Sequence, residues 1–591
     1  MPRTPKTMET AAVRYVVSAS HVHAHLYDIE MTIAQPQPEQ TVSLPVWIPG
    51  SYLVREFSKH LQELGATQGR RACALTQVNK NTWSIACQGS RPLTLKYRVY
   101  AFDPSVRTAW LDTRRGFFNG TSLCLLAHGH ADACHHLTVS SPRGTQGWRV
   151  ATGLAPVRID ARGWGTYGAQ NYDELIDAPF EMGDFWSGEF VACGVRHRFV
   201  VAGAPASFDG NRLLADTQRI CTEAIKMWHG PRGRPAHRDY VFMLNAVDDG
   251  YGGLEHRNST ALICNRRDLP RLGESSATEG YITLLGLISH EYFHTWNVKR
   301  LRPHEFARYD LQQENYTNLL WFFEGFTSYF DDLLLVRAGL IDAERYLKLL
   351  GKTIVQVDQT PGRKVQSVAQ ASFDAWVKYY RQDENTVNAT VSYYTKGALV
   401  GLCLDLSLRQ AGSSLEEVMR GLWQRCAAGP MSEADLLEEL RARTGRDWSP
   451  QIKAWVHGTD DLPLATLLRA HGVKIDTDKA PMAQRLGLRV QENAAGIAIK
   501  AVLRGGAAEI AGMAAGDEWL AIEVGRGTRA QSWRLKKLDD LPLLLGPNAR
   551  VRALINRDQR LMWLNLQVPA LASNWQLRPD PTQNEALKRW L

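Results

Sequence analysis

The chain lacks most of the features that assign a protein to a specialised class. It has no CxxC pair, and its nine cysteines are scattered and odd in number. That argues against a disulfide framework and for free thiols in a reducing compartment. No apolar run is long enough to span a bilayer. The opening "MPRTPKTMETAAVRYVVSAS" has no long apolar core of a secretion signal, so the expected location is cytoplasmic. Long basic tracts are missing as well. The net charge of +8 arises from 69 basic and 61 acidic residues spread along the chain, which gives nucleic-acid binding little support. Internal repeats and low-complexity segments are not visible.

What is present is a 591-residue chain of ordinary composition, 44% hydrophobic and 22% charged, too long for a single hydrophobic core. Residues 13 to about 170 read as short, β-branched or aromatic strands separated by turn residues. "AHLYDIEMTI" and "LTLKYRVYAF" are examples. This pattern predicts an N-terminal β-sandwich over 1–175. From 212 the spacing turns helical, with candidates at 280–298, 316–339, 342–357 and 394–411. From 473 it changes again: "GIAIKAVLRGGAAEIAGMAAGDEWLAIEV" reads as strand, small-residue helix, Gly-Asp turn, strand. The expected fold is multidomain α+β, with domains at 1–175, 176–472 and 473–591.

The segment "YITLLGLISHEYFHTWNV" places apolar residues at helical spacing, predicting one helix over 281–298. Residues four apart share a helix face, so His290 and His294 can grip one metal ion together. Glu291 lies one position round, where it can hold a water without binding the metal. With 17 histidines in the chain, chance H-E-x-x-H matches number on the order of a few hundredths. The plain alternative is two hydrogen-bonded histidines on a packed helix.

A catalytic zinc takes three protein ligands and keeps one position open. The best third candidate is Glu324, in the apolar helical stretch "LLWFFEGFTSYFDDLLL". A carboxylate there is costly without compensation, and zinc would supply it. Two further segments matter. "DDGYGGLEHRNST" carries Glu255 after Gly252 and Gly253, and "VSYYTKGALVGLCLDL" carries Tyr393 and Tyr394 before a helix. By composition alone, the first is an ordinary turn and the second a packed tyrosine pair.

Taken together, these segments resemble a known group. "HEYFH" followed by "FFEGFTSYF" resembles the gluzincin metallopeptidases. "GGLEH" and "YTKGA" resemble the "GxMEN" and "YEKGA" elements of the aminopeptidase N and leukotriene A4 hydrolase relatives. "LPVWIPGSYLVREFSKH", "HEYFHTWNVKRLRP" and "FFEGFTSYFDDLLL" are similar to the PDZ-containing glycyl aminopeptidase family, over nearly the whole chain.

That resemblance implies a β-sandwich, a thermolysin-like zinc peptidase domain and a C-terminal PDZ-like domain. It implies His290, His294 and Glu324 as Zn2+ ligands, Glu291 as general base and Tyr394 as oxyanion donor. Glu255, with Gly252 and Gly253 before it, matches the element that holds the substrate's free α-amine. The implied activity is removal of N-terminal glycine or other small residues from peptides. The implied partners are peptides with a free N-terminus and, at the PDZ-like domain, peptide C-termini, with the loop 485–490 and the helix 507–513 as groove walls. The rival readings are a zinc endopeptidase, in which Glu255 is no amine anchor, and a PDZ scaffold with an inactive peptidase domain. One spacing departs from the aminopeptidase N pattern: residues 295 to 323 intervene between His294 and Glu324, a longer stretch than in those relatives.

Overall fold

Strict alternation of buried and exposed residues runs through the N-terminal strands. In "LTLKYRVY" (Leu93–Tyr100) the odd positions are buried and the even ones face outward, the signature of a sheet with one face on a core. The computed structural model describes residues 11–591 apart from 143, 146, 495, 526, 547, 548 and 571. It divides into two units. The first comprises Met1–Asn315, Arg337–Leu340 and Met419–Met431, the second Tyr316–Val336, Ile341–Val418 and Ser432–Leu591.

The first unit opens with an eight-stranded sheet and two four-stranded sheets. Val13–His21 lies near the middle of the large sheet, parallel to His135–Ser140 and antiparallel to Leu26–Ile33. A five-stranded sheet follows, in the order Trp186–Ala192, Val195–Ala202, Asp239–Val247, Ser259–Asn265, Gly252–Glu255. Its three middle strands are parallel. The crossover between the first two of these is helix α1 (Gly210–His229), capped by the Asp209 side chain. "DYVFMLNAV" is buried along nearly its whole length, as a strand covered on both faces must be. Gly252–Glu255 is the edge strand, paired antiparallel with Ser259–Asn265.

Helix α2 (Glu279–Phe293) starts where the Thr278 hydroxyl accepts the Tyr281 N–H and is buried on nearly every side. It stops earlier than the periodicity predicts. Phe293 is its last helical residue, His294 is its C-cap, and residues 295–298 leave the helix axis. Val298 has φ of +99°, a conformation a β-branched residue adopts only where its surroundings impose it. Here the Val298 N–H donates to Leu301 O at 2.7 Å, and the reversal turns Lys299 inward.

The extra residues after His294 belong to the sheet domain's side of this unit. The Val46 N–H donates to Leu311 O at 2.9 Å, Trp47 Nε1–H to Asp310 O at 2.8 Å, and Gln312 Nε2 to Ser43 Oγ at 2.9 Å. Trp47 packs edge-on to Tyr309 and Tyr52 stacks on Phe306. "LPVWIPGSY" and "VKRLRPHEFARYDLQQ" are therefore two halves of one contact.

In the second unit, helix α3 (Leu320–Arg337, all but its last residue in this unit), helix α4 (Ala343–Asp358) and helix α5 (Thr395–Gln410) form the helical part. A Cβ on Gly325 would lie 2.5 Å from the Gly397 backbone, and one on Gly397 would lie 2.6 Å from Trp321 O. Helices α3 and α5 cross at this glycine pair. Tyr329 on α3 donates to Asp405 on α5 at 2.6 Å and accepts from the C-terminal Trp590 indole at 3.0 Å. From residue 488 the chain forms a sheet in the order Leu488–Asn493, Gly496–Val502, Glu518–Val524, Arg550–Arg557, Arg560–Gln567. Its core includes Leu486, Trp519, Ala553 and Ile555. The helix expected over 507–513 is only Ala507–Ile510.

Candidate active site

Helix α2 presents two of the predicted metal ligands one turn apart. The His290 and His294 rings lie 4.7 Å apart between centroids, at 83° to each other. His290 is half-buried and His294 is buried. His294 Nδ1 faces the Asn297 carbonyl at 2.8 Å. A carbonyl only accepts, so Nδ1 carries the ring proton and Nε2 keeps the lone pair a metal needs. The donor set fits zinc, and the turn that ends α2 early supplies the carbonyl that fixes this tautomer.

The opposite side of α2 is anchored by a buried hydrogen-bonded chain that sequence reasoning did not find. Tyr292 OH lies 2.9 Å from His197 Nε2 and 3.2 Å from His237 Nε2, and His197 Nδ1 lies 2.9 Å from Val195 O. One proton arrangement satisfies all of these. His197 donates from Nδ1 to the carbonyl, Tyr292 donates to His197, and His237 donates to Tyr292. Burial lowers the His197 pKa to about 4 and pushes His237 well below the ordinary histidine value, so both rings are neutral at pH 7.

The edge strand Gly252–Glu255 runs beside α2. A Cβ on Gly253 would lie 2.1 Å from Glu291 Oε1, so only glycine allows this strand to pass so close to the predicted base. Arg107 donates to Gly253 O at 3.1 Å. Glu255, Glu291 and His294 each offer a ligand atom, all within 4.8 Å of one another. Glu255 is only 4% exposed, and among the described residues its Oε1 has no hydrogen-bond partner. A buried, unsatisfied carboxylate oxygen is costly and marks a place for a donor from outside the chain.

Three groups hold Glu255 in place, and none was apparent from the sequence. Gly50, with φ of +94°, lies against its carboxylate. Asp177 fixes the residues that follow it: His256 Nδ1 lies 3.3 Å from Asp177 Oδ1, and the Arg257 N–H donates to Oδ2 at 3.1 Å. Lys299 closes the group with its Nζ 2.6 Å from Asp177 Oδ1. Burial alone would raise the Asp177 carboxyl, yet Lys299 and the neighbouring His256 and Arg257 hold it well below the usual carboxylate range. Burial would lower the Lys299 ammonium, and Asp177 chiefly, with a contribution from Glu255, keeps it above its ordinary value. Only the pairing reveals these residues, because their separation along the chain carries no motif.

In the second unit, Glu324 lies on α3 immediately before the Gly325–Gly397 crossing and is 2% exposed. Tyr394 is the residue before α5. Its phenol is held well above the ordinary tyrosine pKa, first by burial and then by the Glu324 charge, so it is a hydrogen-bond donor at pH 7. Tyr379 stacks on Tyr394 with centroids 5.3 Å apart. Tyr393 is fully buried, whereas Tyr394 keeps part of its surface exposed.

Residues 14–184 match the Peptidase M61 N-terminal domain and residues 283–400 match the M61 glycyl aminopeptidase domain. The crystal structure of an aminopeptidase N family protein from Idiomarina loihiensis is 37% identical, with 98% of this chain and 100% of that chain covered and a TM-score of 0.92. The chain belongs to the M61 glycyl aminopeptidase family. As a member of that family it is a hydrolase, a metalloaminopeptidase. A remoter similarity is to an M1 zinc metallopeptidase from Deinococcus radiodurans, 15–16% identical across its variants. For the 16% identical form, 76% of this chain and 94% of that chain are covered, with a TM-score of 0.47. No curated protein matches.

The first matched stretch includes Gly50 and Asp177; the second includes His290, Glu291, His294, Glu324 and Tyr394.

Proposed function

We propose that the protein is a zinc-dependent aminopeptidase that removes glycine or another small residue from the N-terminus of peptides. His290, His294 and Glu324 are the zinc ligands in this reading. It is supported by the spacing of the histidines, the Nδ1-protonated tautomer of His294 and the buried carboxylate of Glu324 in an aromatic helix. Bound zinc supplies Lewis acidity toward the scissile carbonyl and lowers the pKa of water.

Glu291 takes the proton of the attacking water and later delivers it to the leaving amine, as general base and then acid. Tyr394 donates to the oxygen that gains charge as the tetrahedral centre forms. Gly252 and Gly253 leave the edge strand bare, so that a substrate backbone can approach it. Glu255 holds the substrate ammonium. The single observation that carries the aminopeptidase reading is the unsatisfied Oε1 of this buried carboxylate, close to Glu291 and His294. A charge there fixes how far a peptide enters and makes cleavage occur after the first residue. The preference for glycine or other small residues rests on the family. The deciding experiment compares a peptide with a free N-terminus and its N-acetylated twin: the protein should cleave the first and reject the second.

The reading extends to the domains. We assign 1–175 to a β-sandwich, 176–472 to a thermolysin-like catalytic domain and 473–591 to a PDZ-like domain with a C-terminal tail. The last assignment is supported by the outer edge strand Leu488–Asn493, which pairs on one side only among the described residues, as strand addition by a peptide C-terminus requires. Binding of carboxy-terminal peptides, lost on C-terminal amidation, tests it. A cytoplasmic location is supported by nine free cysteines. Among the described residues, no helix is long and apolar enough to cross a membrane.

A further inference from the structure

A cavity lies wholly within the second unit, and its lining includes none of the residues assigned to the peptidase chemistry. It measures about 340 Å3 and is bounded by α4, the first turn of α5, residues 460–466 and the start of strand Ser573–Pro579. That size falls within the range of small-molecule sites. Ile354, Val357, Leu399 and Trp575 supply an apolar wall.

The charged lining is unequal. Arg363 is paired with Asp358 at 3.0 Å and Asp461 at 3.3 Å, and Asp461 also takes Lys364 at 2.9 Å. Lys396 is different. It lines the cavity, is 2% exposed, and among the described residues its ammonium has neither a hydrogen bond nor an ion pair. It is also the second residue of α5. A cation in the first turn of a helix faces the positive end of the helix dipole, and burying it unpaired adds a desolvation cost. Both penalties act on the same side chain, and a bound anion would relieve both. Burial lowers the Lys396 pKa to about 8, which leaves it mostly protonated at pH 7.

We propose that this cavity binds a small apolar carboxylate, with the carboxylate on Lys396 and the apolar body against Ile354, Leu399 and Trp575. A free amino acid and a plain carboxylic acid share this chemistry. Asp460, exposed on the cavity lining, is suited to the ammonium that only the amino acid carries. The site is independent of the zinc-peptidase reading, because none of its residues is a metal ligand, base or amine anchor.

The test is calorimetric titration of the full chain with three probes of one shape: 4-methylpentanoate, its uncharged amide, and L-leucine. The acid is expected to bind after metal removal by chelation and equally well in Glu255→Ala. The amide is expected to bind at least tenfold more weakly. Lys396→Met is expected to lose at least tenfold in affinity for the acid, and Lys396→Arg to recover part of it. If L-leucine exceeds the acid in the Glu255→Ala protein and Asp460→Asn removes the excess, the natural occupant is an amino acid; equal binding identifies a plain acid. Should Lys396→Met fail to fold, Leu399→Trp fills the cavity from its apolar side and must abolish binding. The proposal is overturned if the acid does not bind. It is also overturned if binding survives Lys396→Met or Leu399→Trp in folded protein, if the amide binds as well as the acid, or if Glu255→Ala or metal removal abolishes binding.

Discussion

The backbone of Gly50 lies directly against the carboxylate of Glu255. A methyl group on Gly50 would sit 2.5 Å from Glu255 Oε1, and φ of +94° is one that alanine adopts only under strain. A loop of the N-terminal sheet region therefore walls the residue proposed to recognise the substrate amine. Gly50→Ala is expected to displace Glu255 while leaving the metal ligands untouched. The expected outcome is a loss of about tenfold or more in kcat/KM on a free peptide, or ~1.4 kcal/mol, with metal content unchanged. Unaltered kinetics in a folded Gly50→Ala protein would show that this contact does not set the position of Glu255.

Glu291→Gln separates chemistry from metal binding. The amide cannot accept a proton, so turnover should fall by about 100- to 10,000-fold, while zinc measured by elemental analysis stays at the wild-type ratio. His290→Ala, His294→Ala and Glu324→Ala should each lose metal and activity together. Normal zinc retention by Glu324→Ala would move the third ligand to another carboxylate.

Tyr394→Phe removes a donor that acts after water has attacked. The loss should appear in kcat, by about 100- to 1000-fold, with little change in KM. Tyr393→Phe is the control, since that ring is buried in the core, and its kinetics should stay near wild type. An equal or larger kcat loss in Tyr393→Phe would exchange the two assignments.

The histidine chain behind α2 makes a pH prediction. The folded pKa of His197 is depressed to about 4, against about 6.5 in an unfolded chain. Between those values the unfolded state binds the extra proton. Stability therefore falls as pH drops below about 6.5 and stops falling from this source near the folded value. The full effect is ~3 kcal/mol by the cost of a pKa shift. Thermal unfolding at pH 7 and pH 5 should show a decline that His197→Gln reduces. An equal decline in both proteins would assign the acid sensitivity to other groups.

Much of the candidate site was legible because helical spacing and burial are local properties. His290, Glu291 and His294 are read from one turn of one helix, and Glu324 from a carboxylate amid aromatic residues. Gly253 and Gly397 sit in recognisable motifs, yet their reason, close backbone passage beside Glu291 and Gly325, appears only in three dimensions. Gly50, Asp177, His197 and Lys299 were illegible for the same reason: each acts through a partner many residues away. The end of α2 was misplaced because apolar periodicity continues through 298, while the chain reverses in a local turn closed by the Val298 N–H on Leu301 O, with Val298 at positive φ. The helix expected over 507–513 shortened to one turn, where small residues offer little side-chain burial to extend it.

The central claim is that Glu255 turns a metallopeptidase site into an aminopeptidase. The most direct test measures kcat/KM for one peptide with a free N-terminus and for its N-acetylated twin, using wild type, Glu255→Gln and Glu255→Ala. Wild type should cleave the free peptide and reject the acetylated one, which presents no ammonium. Glu255→Ala should lose about 10- to 100-fold on the free peptide, the worth of a hydrogen bond to a charged group, and narrow the gap between the two; Glu255→Gln should fall between. Equal cleavage of both peptides by wild type would contradict the account and favour an endopeptidase, and strong discrimination that survives Glu255→Ala would place the amine on another residue.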